Sequence, residues 1–319
     1  MDKLAILIPC YNEGRTIRKV VSDCFAATKN ILNTQIYVYD NNSNDDTVSE
    51  ASTAGAIIRH EYQQGKGNVI RRMFREVEAE CYIMIDGDDT YPAESIPDMM
   101  NVVLTKHVDM VVGDRLSSSY FQENKRLFHN FGNIIVRKGI NTFFKNDIKD
   151  VMTGFRAFSY QFVKTYPVLS HGFEIETEMS ILAIENNMLI SNQIIEYRDR
   201  PAGSDSKLNT FSDGFKVLKK IFSLFRNYHP LRFYGVISVI LLILGAALFF
   251  PKVWIPFIQT GLVRNFPTLI VCGFLVILGM LSYTAGLILD SNVQREHREF
   301  EFRLVLVQEQ FDRLKNINS

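Results

Sequence analysis

Three carboxylates within four residues, Asp86, Asp88 and Asp89, follow the apolar run Tyr82-Ile83-Met84-Ile85. Like charges gathered at the end of a buried strand repel unless a hard cation or hydrogen-bond donors compensate them. A divalent metal bridging to a diphosphate would do so. Mg2+ binds through one or two carboxylates and substrate phosphates, and there it would neutralise charge developing on a nucleotide diphosphate leaving group. Asp86 and Asp88 are therefore candidate ligands for Mg2+ or Mn2+. An acidic triplet by itself is a common solvated loop; its place after a strand gives it weight.

Three more polar clusters follow short β-rich runs in the same way. Pro9-Cys10-Tyr11-Asn12-Glu13 follows Leu4 to Ile8, Asp40-Asn41-Asn42-Ser43 follows Ile36 to Tyr39, and Gly113-Asp114-Arg115 follows Met110 to Val112. With further runs at Ala56 to Ile58 and Tyr82 to Ile85, separated by helix-compatible segments, the pattern predicts an α/β fold with a mainly parallel sheet. Ligands of open α/β sheets bind at the carboxyl ends of strands, so the four clusters should converge on one crevice.

The rest of the chain limits what that crevice can serve. Its 319 residues, 47% apolar, suffice for one sizeable α/β domain and a smaller part. Thirty-five basic residues balance thirty-five acidic ones, so no net charge points to a nucleic acid partner. Cys10, Cys24, Cys81 and Cys272 show no C-x-x-C pairing and read as reduced thiols in a cytosolic setting. No apolar signal segment precedes Leu4, so the first domain is expected in the cytoplasm.

Phe233 to Phe250 and Thr268 to Leu289 are uncharged stretches of 18 and 22 residues. As helices they would span about 27 and 33 Å, close to a bilayer core of roughly 30 Å. Basic residues flank both: Lys216, Lys219, Lys220, Arg226 and Arg232 before, Arg295, Arg298 and Arg303 after. This bias places both chain ends in the cytoplasm. Ahead of the first span, Phe215, Leu218, Ile221, Phe222 and Phe225 share a helical face with Lys216 and Lys220 away from it. That suits an interfacial helix on an anionic leaflet, or a helix packed on the catalytic domain. The expected division is 1–208 catalytic, 209–231 juxtamembrane, 232–289 two spans around a loop at 251–267, and 290–319 a cytoplasmic helical tail.

Taken in order, the motifs resemble family 2 glycosyltransferases of the GT-A fold, a Rossmann-like arrangement, and in particular dolichol-phosphate mannose synthases and bacterial polyprenyl-phosphate glycosyltransferases. The matching residues are Pro9 to Glu13, Asp40 with Ser43 and Asp45, Gly65-Lys66-Gly67, Asp86-Gly87-Asp88, Gly113-Asp114-Arg115, Asp150 with Thr153-Gly154-Phe155-Arg156, and Arg200 to Lys207. The resemblance implies that Pro9, Tyr11, Glu13 and Asp40 line the nucleoside pocket and that Asp86 and Asp88 hold diphosphate and metal. It further implies that Arg115 and Arg126 meet the acceptor phosphate, that Arg200 and Lys207 close over the reaction centre, and that Asp150 lies near sugar or acceptor. Lys66 could contact phosphate or lie in a tight loop. Asn41, Thr90 and Asp114 stand where the family commonly has Asp, Gln and Ser.

The implied reaction is a single displacement with inversion. A phosphate monoester is largely dianionic at pH 7, so alignment and stabilisation of the leaving group outweigh any general base. The expected donor is UDP-glucose or UDP-N-acetylglucosamine and the expected acceptor undecaprenyl phosphate, in a bacterial plasma membrane, for cell-envelope glycan decoration. The other readings are a transferase with a non-lipid acceptor and a non-catalytic nucleotide-sugar scaffold. A processive synthase would carry Q-x-x-R-W, whereas the one tryptophan is Trp254. In the tail, Phe300, Leu304, Val307, Phe311 and Leu314 extend a seam begun by Val293 and His297, which predicts a partner helix and homo-oligomerisation, or docking on the catalytic domain.

Overall fold

The computed structural model describes residues 1–117, 144, 148–196, 198 and 210–318. Among them, seven strands form one sheet: β1 (Asp2–Cys10), β2 (Thr34–Asp40), β3 (Ile57–His60), β4 (Ala79–Met84), β5 (Met110–Asp114), β6 (Arg156–Ser159) and β7 (Ile190–Ile194), in the order β3-β2-β1-β4-β6-β5-β7. All neighbours are parallel except β6, which runs antiparallel to β4 and β5. The expected mainly parallel α/β sheet is therefore present.

The apolar run of β1 puts Leu4 to Ile8 wholly out of solvent, as a central strand covered on both faces requires. Ile6 pairs with Ile36 on one side and Ile83 on the other. Helix α1 (Ile17–Thr28) buries Ile17, Val20, Val21 and Cys24; α2 (Thr47–Thr53) follows β2, and α3 (Lys66–Glu76) buries Val69, Ile70, Met73 and Phe74. Each buried set recurs at helical spacing. Helix α4 (Ile96–Lys106) carries proline in its first turn and ends on His107 in the left-handed region, φ 52°. Helices α5 (Tyr160–Thr165) and α6 (Ile175–Glu185) follow β6, and every residue of α6 from Ile175 to Ala183 is buried.

From β1 the chain goes to β2 and β3 on one side, then crosses to β4 on the other. That reversal opens a crevice beyond the carboxyl ends of β1 and β4. The loops leaving β1, β2 and β4 each turn through a left-handed polar residue: Asn12 (φ 54°), Asn42 (φ 64°) and Asp89 (φ 59°). Asn and Asp tolerate that conformation better than other side chains, which is why these loops can fold back over the strand ends without glycine.

Met1–Ile221 and Phe300–Ser319 form one compact unit and Phe222–Glu299 another. After β7 in sequence comes α7 (Thr210–Tyr228), whose residues up to Ile221 belong to the first unit; it buries Val217, Ile221 and Leu224 and leaves Phe215, Leu218 and Phe222 exposed. The face predicted as continuous is thus divided. Lys220, set by the sequence on the polar face, is ion-paired with Glu178 of α6 at 3.1 Å.

The second unit contains α8 (Pro230–Phe249), a π-helical turn at Phe250–Trp254, α9 (Ile255–Thr260) and the first part of α10 (Phe266–Asn318). Helical structure continues to Thr260, so a shorter connection joins the two apolar segments than the expected loop at 251–267. Two helices, Pro230–Thr260 and Phe266–Asn316, are long and apolar enough to cross a membrane. Val236, Ile243, Phe274 and Ile277 are exposed, unlike the core helices of a soluble protein. Small residues bring the two helices together. A Cβ on Gly279 would lie 3.2 Å from Leu242 and one on Gly286 3.1 Å from Tyr234, and Ser282 Oγ donates to Tyr234 O at 3.0 Å.

The end of α10 returns to the first unit. Phe311 packs on Tyr160 of α5 (centroids 5.1 Å), Gln161 bonds Gln308 at 2.5 Å, and Lys315 pairs with Glu80 at 3.2 Å. Phe300 is buried and Leu304, Val307, Phe311 and Leu314 are half-buried, whereas Phe302, Val305 and Leu306 are exposed. Of the two readings of the seam, docking on the catalytic domain is present at Phe311, which lies on Tyr160 of α5.

Candidate active site

The residues read from sequence as lining a nucleoside pocket gather at the ends of β1 and β2. The buried Asp40 carboxylate accepts from the Ser43 amide at 3.2 and 3.3 Å and lies 3.4 Å from His60 Nδ1. Pro9 lies beside Tyr39 in the β1–β2 register. Glu13 donates its amide to Thr47 Oγ1 at 2.8 Å and accepts the amides of Thr16 and Ile17 on its carbonyl, while Tyr11 keeps 37% of its surface open. Asp45 joins the two loops by accepting from the Gly14 amide and the Thr47 amide and hydroxyl. Partial burial opposes its ionisation, but these donors hold its carboxyl below the ordinary range. Burial, then the charges of Glu13, Asp40, Asp86 and Asp88, push the Cys10 thiol far upward, so it stays protonated. All four cysteines are free and buried.

The carboxylates after β4 take different directions. Asp89, in its left-handed turn, pairs outward with Lys19 at 2.7 Å and leaves the cluster. Asp88 is buried, and its Oδ1 accepts from the Thr90 hydroxyl at 2.6 Å and amide at 3.3 Å. Thr90 thus orients Asp88. Asp86 Oδ1 lies 2.7 Å from Lys66 Nζ, which also lies 2.8 Å from Glu176 Oε1. Burial alone would favour neutral Lys66; Asp86 and Glu176 outweigh it, raising the pKa and fixing the charge. On the other side of Asp86 is the backbone of Gly154, where any Cβ would overlap the carboxylate.

Arg115 and Asp150 meet as a bidentate pair: Nε to Oδ2 at 2.7 Å and Nη2 to Oδ1 at 3.1 Å, with the guanidinium 5.8 Å from the Tyr91 ring centroid. The fork expected to grip acceptor phosphate is thus engaged by a carboxylate 35 residues away. Asp114 accepts the amides of Leu116 and Ser117 at 3.0 and 3.1 Å, holding the turn that carries Arg115. Beneath them Arg156 is fully buried, donating to Thr153 O at 3.1 Å, Val151 O at 2.6 Å and Ser180 Oγ at 2.9 Å. Burial lowers its pKa to about 10, so it remains charged at neutral pH.

Asn41 shows why an amide suits a place where the resemblance expects Asp. Its Nδ2 donates to Glu61 O at 2.7 Å and Gln63 O at 2.9 Å, and its Oδ1 accepts from the Gly65 amide at 2.7 Å. Gly67 N donates to His171 O at 3.0 Å. The amides of Gly65 and Gly67 therefore hold structure rather than phosphate. Their missing side chains make room for the 170–171 backbone, which a Cβ on either would strike. Asn41→Asp is expected to lower stability by about 2–4 kcal/mol, since it faces two carbonyls with an acceptor that cannot donate. Thermal melting against wild type checks this, and an unchanged melting temperature would refute it.

The structure thus brings Pro9, Tyr11, Glu13, Asp40, Lys66, Asp86, Asp88, Arg115 and Asp150 onto the carboxyl-end loops of one sheet. Arg126, Arg200 and Lys207 lie outside the described residues. Sequence reasoning missed Glu176; the signal was acidic residues inside the otherwise apolar α6 segment, since a buried carboxylate requires a partner. Among the described residues no group of three or more His, Cys, Asp or Glu could hold a metal ion. Asp86 and Asp88 alone make a two-carboxylate hard-oxygen set, which suits Mg2+ or Mn2+ when phosphate oxygens complete the shell.

The chain is 30% identical over 257 residues to the glycosyltransferase AglJ of Haloferax volcanii, covering 80% of this chain and 83% of that one. It is 27% identical over 188 residues to a dolichol-phosphate mannosyltransferase of Pyrococcus furiosus, covering 56% and 52% respectively. Among solved structures, the fold resembles Mycobacterium tuberculosis glucosyl-3-phosphoglycerate synthase in complex with Mn2+, UDP and phosphoglyceric acid: TM-score 0.52 at 17% identity, over 70% of this chain and 78% of that one. The family described as Glycosyl transferase family 2 matches residues 5–166, half the chain, and together with the AglJ likeness this makes the protein a family 2 glycosyltransferase.

Proposed function

We propose that this glycosyltransferase moves a hexose, glucose or N-acetylglucosamine, from UDP to polyprenyl phosphate with inversion, at the cytoplasmic face of a bacterial plasma membrane. The observation that carries the reading is that Asp86 and Asp88 follow β4 and the Arg115–Asp150 pair follows β5, in a chain that also has two membrane-length apolar helices. The Mn2+ and UDP of the mycobacterial synthase and the dolichol phosphate named for the archaeal relative support donor and acceptor class.

Asp86 and Asp88 would hold Mg2+ or Mn2+, which when bound neutralises charge on the departing diphosphate. Asp40, Glu13, Pro9 and Tyr11 would seat the nucleoside. Thr90 fixes the direction of Asp88, and Asp114 and Arg156 fix the segments bearing Arg115 and Asp150. Arg126, Arg200 and Lys207 would add charge for the acceptor phosphate and the reaction centre. A dianionic phosphate oxygen attacks without losing a proton, so no side chain is assigned as base.

Purified protein incubated with undecaprenyl phosphate and a panel of nucleotide sugars should yield labelled glycolipid from a UDP-hexose in the presence of Mg2+ or Mn2+. Transfer only to a water-soluble acceptor, or none from any donor, would sink the proposal.

A further inference from the structure

Glu176 has no place in the reaction just described, yet it is buried on a helix with no solvent of its own and points at the donor site. Its Oε1 is 2.8 Å from Lys66 Nζ, which is 2.7 Å from Asp86 Oδ1. We infer that Glu176 is a positioning residue which, through Lys66, keeps the Asp86 carboxylate fixed and available to a cation-bound nucleoside diphosphate. This rests on the reading of Asp86 as part of the donor site.

Two features support it. The first is confinement. Lys66 has little freedom, because the flanking Gly65 and Gly67 amides are bonded to Asn41 and His171 and its ammonium lies 5.8 Å from the centroid of the Phe173 ring. Asp86 is in turn held between that ammonium and Gly154. The second is charge. Lys66 facing Asp86 alone would cancel its negative charge and weaken its attraction for a divalent cation. A second carboxylate on the same ammonium shares the positive charge while it is ionised: burial pushes the Glu176 carboxyl up, and the adjacent Lys66 ammonium opposes that shift. Glu176→Gln keeps the shape and one acceptor but removes that sharing.

The test is calorimetric binding of UDP to full-length protein in detergent, with and without Mn2+. Wild type should bind UDP more tightly with Mn2+. E176Q should lose about tenfold of the Mn2+-supported affinity, the scale typical of losing a side chain that orients a metal ligand, with metal-free affinity no weaker than wild type. E176D retains the charge and should recover most of the loss; it also serves if E176Q melts too low to assay. Equal Mn2+-supported binding by wild type and E176Q, an equal loss with and without Mn2+, or no recovery in E176D would overturn the inference. Failure of wild type itself to bind UDP would instead overturn the donor-site reading on which it rests.

Discussion

Asp88→Asn is expected to cut turnover about 10²- to 10³-fold while the protein still folds, the range typical of losing one preorganised electrostatic contact to a transition state. The asparagine has the same outline, and its Oδ1 can still accept from the Thr90 hydroxyl that holds Asp88 at 2.6 Å. What disappears is one negative charge in a buried position where like charges already converge. Initial rates of glycolipid formation across a Mg2+ and Mn2+ series, beside thermal melting, separate catalysis from folding. Near-wild-type metal-dependent turnover would refute the assignment. Asp89→Asn is the internal control: its carboxylate is engaged by Lys19, whose side chain is exposed, and not by Lys66 or Thr90, so its loss should change rate less than about threefold.

The largest expected stability effect comes from a residue with no assigned contact to substrate. Arg156→Leu removes four donated hydrogen bonds at once, a weak one to Met110 Sδ among them, and leaves the carbonyls of Val151 and Thr153 and the Ser180 hydroxyl without that partner in a buried place. At about 1–3 kcal/mol per unsatisfied group, less what Ser180 recovers through its own bond to Glu176 O, the loss is about 3–5 kcal/mol. For a unit of this size that means a drop in melting temperature of roughly 10 °C. The carbonyls lie in the loop next to Asp150, so activity at permissive temperature should fall as well. Melting in detergent and rates at 15 °C test both; a variant as stable as wild type would show that the guanidinium is dispensable.

Much of this site could be read before any coordinates, for a physical reason. Strands β1, β2, β4 and β5 are nearly continuous apolar runs because a central parallel strand is covered on both faces, and the polar clusters stand where those runs end. Strands β6 and β7 lack that signature. Arg156-Ala-Phe-Ser carries a charge that the core solvates with carbonyls, and Ile190-Ser-Asn-Gln-Ile lies at the sheet edge. Pairings over long separations were equally hidden. Arg115 reads as a free cation in sequence, and only the approach of Asp150 shows that its fork is engaged. Glu176 was hidden because a carboxylate within an apolar helix gives no periodic pattern until Lys66 is seen beside it. The tail's seam was visible, but its partner was not: a heptad pattern specifies a face and does not say whether a second helix or the aromatic surface of α5 will cover it.

The return of Phe300–Ser319 to the first unit also bears on how the protein is made. The residues that cover Tyr160 and pair with Glu80 are synthesised after the apolar hairpin, so on the ribosome residues 1–221 must fold with that patch open. On the proposed membrane reading, the apolar hairpin enters the bilayer before the first unit is complete. A chain whose hairpin fails to insert would expose both its apolar helices and this uncovered patch, and would be a ready substrate for cellular quality control.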